Sequence, residues 1–307
     1  MIPGSGFLHR RLEEAVRALL EPDPRQRTDF SAPQGEPALA SPDSVSWQVF
    51  KNPLALFIGG IGAVLLELAE PRVRTGVWEH TNFRTDPLTR LRRTALAAML
   101  TVYGPRSKAE AMIAAVGRAH ARVTGTTPAG VPYRADDPEL LDWVQATAAY
   151  GFLEAYCHFV RPLGKTDKDR YYAESRPAAA LYGAAGAPPS VTALEALFAA
   201  MRPRLERSDI VFEFLAIMQR APILPAALAP VQRMLVRAGV SIVPRWARDL
   251  LGFDSTWELA PWEARLSRMS GTLADRVALP GSPAVTACRR LGLPANYLYV
   301  PAPRRRP

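Results

Sequence analysis

Cysteine and histidine are scarce in this 307-residue chain: there are two of the first and four of the second. Cys157 and Cys288 permit one disulfide but no disulfide framework, which suits a reducing compartment. No HExxH and no Cys/His pair at zinc spacing occurs, which excludes the common structural and protease zinc sites. The nucleotide cradles GxxxxGK[ST] and GxGxxG are missing, as is the GxSxG nucleophile elbow. A membrane-spanning run is also lacking. The longest apolar stretch, Pro53 to Ala69, falls short of the ~20 residues a span needs and carries Glu67, so it reads as a buried core helix. Strand alternation and internal repeats are absent. Met1 to Gly6 is short and uncharged, and no apolar run follows His9, Arg10 and Arg11. No secretory signal is therefore expected, and a cytoplasmic setting is.

What is present is a globular composition. Hydrophobic residues make up 48% of the chain and charged residues 22%, which argues against disorder. The net charge of +9 comes mostly from scattered arginines. The one dense run is Arg304, Arg305 and Arg306. With no basic stripe interleaved with aromatics, solvated helix faces explain the charge and nucleic acid is not expected as a partner.

Helix signals fill the chain. Residues 6–21 place Leu8, Leu12, Val16 and Leu19 on one face. Residues 22–46, rich in Pro, Asp and Ser, form a long loop. Asn52-Pro53, Asp86-Pro87 and Asp137-Pro138 repeat one start device, a capping side chain followed by proline at the first helical position. Helices are predicted from these to about Leu68, to Gly104 and to about Val160, with a further helix over 105–123. Residues 126–136 carry turn signals compatible with a small hairpin, and seven more helices are predicted between 166 and 291. The expected fold is all-α, a single large helical domain. Its parts are an N-terminal helix and loop (1–46), a helical core (47–255), and C-terminal helices with a basic tail packed on that core (256–307).

Three places carry chemistry. His120 lies on the apolar side of its helix with Ile113, Val116 and Val123, and Gly117 is one turn before it. Glycine inside a helix costs roughly 0.5–1 kcal/mol relative to alanine, so it needs a reason. A flat group lying against the backbone beside an imidazole ligand is one reason, and close helix–helix packing beside a structural histidine is the other. The second place is the segment WEHTNFRTDPLTRLRRT. Glu79 and His80 precede a helix on which Arg90, Arg93 and Thr94 share a face, either aimed at a bound group or simply solvated. The third is Tyr156-Cys157-His158, where Cys157 at mid-helix reads as a small buried hydrophobe rather than a ligand. CxxCH is absent, which excludes covalent haem attachment.

Four ordered blocks carry a resemblance to a known family: LLELAEPRVRTGVWEHTNFRTDPLTRLRRT, GRAHARVTG, GVPYRADDPELLDWVQAT and DKDRYYAE. Together, over roughly residues 50–250, they resemble the haem-dependent oxygenases that include the rubber oxygenase (latex-clearing protein) catalytic domain and the oxygenase of mycophenolic acid biosynthesis. The resemblance implies an all-α fold around non-covalent haem b, with His120 as the axial iron ligand and Gly117, Val116 and His80 near the cofactor. It makes Arg90, Arg93 and Thr94 distal polar residues, with Glu79 or His80 able to move a proton. It implies O2 and an apolar small molecule, isoprenoid-type or another natural product, as substrates. Gln145 departs from the pattern, since relatives commonly carry histidine there. Two other functions are weighed beside this one: a non-catalytic haem sensor or carrier in which His80 or His158 closes the iron, and a cofactor-free interaction protein that uses the arginine-rich C-terminus.

Overall fold

The computed structural model describes residues 28–300, and the helix expected over 6–21, His9 and the arginine run at 304–306 lie outside them. The fold is all-α. Thirteen α-helices and one two-stranded hairpin make up its regular structure among the described residues, apart from short 3-10 turns. Each Pro-led start behaves as expected. Asn52, Asp86 and Asp137 accept backbone N–H bonds at the heads of α2 (Pro53–Glu67), α4 (Pro87–Tyr103) and α6 (Pro138–Phe159). Two short helices were not foreseen. Ser44 caps α1 (Val45–Phe50), and Glu70 caps α3 (Pro71–His80). Pro71 therefore starts a new helix rather than merely ending the old one, and α3 leaves α2 at 113°.

The centre of the molecule is the antiparallel pair α2 and α6. Glycines set its closeness. A Cβ on Gly151 would lie 2.4 Å from the Gly59 carbonyl oxygen, and one on Gly59 would lie 2.8 Å from the Gly151 oxygen. On another side, Gly62 and Gly239 let α10 (Ala229–Ser241) settle against α2. The last helices are α7 (Lys165–Leu181), α8 (Val191–Met201), α9 (Asp209–Arg220), α11 (Arg245–Leu251), α12 (Pro261–Ala274) and α13 (Pro283–Arg290). One hydrophobic cluster runs from Phe30 to Leu298. Arg290 is wholly buried in it and donates to the carbonyls of Phe30, Glu36 and Tyr103 at 2.7–2.8 Å, tying residues 28–36 and the end of α4 to α13. A charge this deep is tolerable because carbonyl oxygens take up its fixed fork of donors.

Helix α4 turns back on α5 (Arg106–His120) to form a hairpin. Helix α5 stops three residues short of the predicted end. Val123 instead pairs its carbonyl with the Ala135 N–H, and β1 (Thr124–Thr126) pairs antiparallel with β2 (Pro132–Arg134). The β-branched residues Val123, Thr124 and Thr126 favour that extended path. As a result His120 is the last residue of its helix.

Candidate active site

The register of α2 and α6 defines a wall. Gly59 sits against Gly151 and Phe152, and Gly151 against Gly59 and Ala63. Along α2, Phe57, Gly60, Val64 and Glu67 are half-buried at helical spacing. Along α6 the same holds for Leu141, Gln145, Ala148 and Phe152. A Cβ on Gly60 would meet only the Phe152 ring, at 4.0 Å, so these two half-buried residues lie side by side. Most of the first three turns of α4 are likewise only half-buried, Leu88, Leu91, Leu96 and Ala97 among them. These half-exposed apolar stripes leave apolar surface only partly covered at the edge of the core.

Three ionisable side chains from three helices interact here. Glu67 ends α2, Arg90 is in the first turn of α4, and His120 ends α5. Burial raises the Glu67 carboxyl to about 7, with Arg90 opposing the shift. The negative end of the α2 dipole acts in the same direction as burial. Burial also draws down the Arg90 guanidinium, while Glu67 holds it up and Arg93 adds to the lowering. The His120 pKa is depressed first by burial and then by Arg90, with Asp136 working against them. Its imidazole is therefore neutral at neutral pH, the form with a free nitrogen lone pair. The His120 ring makes no hydrogen bond among the described residues. Arg90 Nη1 donates to Thr94 Oγ1 at 2.5 Å, and Thr94 Oγ1 donates back to the Arg90 carbonyl at 3.0 Å.

Gly117 distinguishes the two explanations offered for it. A Cβ on this residue would meet nothing within 4 Å, so helix packing does not require the glycine. Gly117 and Val116 are both half-buried beside His120, and they leave open space one turn before the imidazole.

Of the other expected residues, Arg93 and Thr94 adjoin Arg90, and the rest lie away from this group. Arg93 and Thr94 are exposed, and Thr94 is held by Arg90. Glu79 and His80 are exposed at the end of α3. His80 Nε2 lies 3.2 Å from the Tyr133 hydroxyl of β2, and Glu79, behind burial, contributes to raising the Tyr133 pKa. No interaction joins this pair to the Glu67–Arg90–His120 group. His158 is exposed, with Nδ1 2.9 Å from the Glu154 carbonyl, and burial pushes the Cys157 thiol pKa up. The acid that does face Arg90 is Glu67. Its one sequence signal is that it is the sole charge in the long apolar run of α2.

Among the described residues, no group of three or more His, Cys, Asp or Glu side chains could hold a bare metal ion. A family model described as ER-bound oxygenase mpaB/B′/rubber oxygenase, catalytic domain, matches residues 47–274. No curated protein and no solved structure gives a match.

Proposed function

The chain belongs to the family of mpaB and rubber oxygenase catalytic domains, an oxygenase family, and from its site we propose that it holds haem b through His120 to oxidise an apolar small molecule with O2. The observation that carries this reading is the open space at Gly117 beside a neutral, half-buried imidazole with no hydrogen-bond partner. A lone histidine would suffice for an iron that brings most of its ligands with it, as haem iron does. His120 would hold the iron, and Gly117 and Val116 would leave room for the flat ring. When bound, haem b supplies the redox-active iron that activates O2.

The remaining roles belong to the protein. Glu67, with a carboxyl near neutrality, can hold or release a proton at Oε1 or Oε2 around pH 7. Arg90 faces Glu67 and fixes Thr94, so it positions a donor group without titrating. Arg93, exposed one turn along α4, is available to a carboxylate such as a propionate. Phe57, Val64, Ala148 and Phe152 give the wall an apolar lining, which favours a hydrocarbon-rich substrate and excludes water from the reacting group. Residues 47–274 would supply the whole site, with Glu79 and His80 outside it.

Engagement of His80 with Tyr133 and of His158 with Glu154 favours an open coordination position over closure by a second histidine. The test is carbon monoxide binding to the reduced, haem-loaded protein, followed by oxygen uptake on a polyisoprene emulsion. The proposal expects CO to bind. It also expects Glu67→Gln to slow oxygen uptake by about 10²-fold while CO binding persists. Failure of CO to bind would instead support a non-catalytic haem carrier.

A further inference from the structure

Helix α12 is built inside out. Its inward face carries Glu263, Ser267 and Gly271, all buried against the neighbouring helices. Glu263 is held by the Arg237 guanidinium and accepts from the Ala260 N–H at 3.0 Å. A Cβ on Gly271 would lie 2.2 Å from the Phe159 carbonyl oxygen. The outward face carries Trp262, Leu266, Met269 and Leu273, which are 65%, 40%, 62% and 60% exposed. Their spacing of four, three and four residues places them in one stripe. Folding alone favours the opposite arrangement, with large apolar residues inside.

The stripe does not stand alone. Pro230 and Val231 line one shallow groove with Trp262 and Leu266, and Leu228 just before them is also exposed. The exposed charges along α12 and its C-terminal extension are Arg265, Arg268 and Arg276, and Arg233 adds a fourth beside the groove. The single acid within α12, Glu263, is buried, and the exposed acids Asp254 and Glu258 precede the helix. Arg268 uses one donor on the His158 carbonyl at 3.0 Å.

We propose that this face of α12, with Leu228 and Val231 beside it, docks onto an anionic lipid bilayer. Trp, Leu and Met side chains would enter the headgroup–acyl boundary while the arginines meet lipid phosphates. Charge selects this occupant over a second copy of the chain. A two-fold dimer would set the arginine-rimmed patch against itself, whereas anionic lipid complements it. The attachment proposed is peripheral, through one face of α12, and no single helix among the described residues is long and apolar enough to cross a membrane. It is independent of the haem reading.

The experiment is flotation of the full-length protein with phosphatidylcholine vesicles and with vesicles of equal parts phosphatidylcholine and phosphatidylglycerol. The expected result is flotation with the anionic vesicles and about tenfold weaker binding to the neutral ones. Met269→Glu combined with Leu273→Glu should abolish flotation with an unchanged melting transition, since both side chains already face outward. Arg265→Gln with Arg276→Gln should weaken binding by about tenfold. As a second measurement that needs no charged variant, brominated lipids should quench tryptophan fluorescence in the wild type, and Trp262→Phe should remove most of that quenching. Three results would overturn the proposal: no flotation of the wild type, flotation of the Met269/Leu273 variant equal to wild type, or a wild-type dimer in solution that this variant splits into monomers.

Discussion

Two helix pairs in this protein use glycine for opposite purposes. In α2 and α6, Gly59 and Gly151 stand where two backbones touch, and any Cβ would collide with a partner carbonyl. In the α4–α5 hairpin, Gly117 stands where nothing approaches within 4 Å. The first pair spends its small residues on packing. The second accepts the helix-weakening effect of glycine and gains room beside His120. A glycine with no packing reason, next to a neutral half-buried imidazole, marks space that the protein's own packing does not use.

The largest effect should come from breaking the tight pair. Gly151→Leu forces a side chain into the Gly59 carbonyl and the Ala63 backbone, and should destabilise the fold by more than about 3 kcal/mol in denaturant unfolding. If Gly151→Leu unfolds like wild type, the register that frames the wall is wrong.

The next effect sharpens the contrast. Gly117→Ala should stabilise the protein by roughly 0.5–1 kcal/mol, because the helix gains propensity and no neighbour is displaced. Gly117→Phe should keep the fold yet lose haem uptake, measured by titration with haemin. Loss of stability in Gly117→Ala would return the glycine to a packing role.

A pH-dependent effect tests the charged group at the end of α2. Burial raises Glu67 from the ordinary 4.5 to about 7 in the folded state, so between those values the folded protein binds this proton more tightly than the unfolded chain does. The stability contributed by Glu67 is full below about pH 4.5 and is lost as pH rises to about 7. Glu67→Gln should flatten that decline in unfolding free energy measured across the same window. An unchanged slope would place Glu67 in water.

The Pro-led helix starts and the all-α class were legible because each rests on local chemistry: a capping side chain, a fixed proline φ, and an apolar stripe. His120 and Arg90 stand out from the same local spacing, and in the structure the Arg90 charge helps to lower the His120 pKa. Glu79 lies eleven residues before Arg90 in an acid–histidine pair, and in the structure it ends α3 near Tyr133 of the β-hairpin. The charge interaction of Glu67 with Arg90 depends on how the fold places the end of α2 relative to the start of α4, which no local pattern encodes. The outward stripe of α12 was missed for a related reason. Its spacing is that of any core helix, and only the packed structure shows which face turns outward.

The most direct test of the central claim is a haem titration followed by visible absorption, comparing wild type with His120→Ala. The account predicts a saturable Soret band at one haem per chain in the wild type, and its loss or marked weakening in a His120→Ala protein that melts normally. A wild-type protein without a Soret band, or a His120→Ala protein with the same spectrum and affinity as wild type, would contradict it.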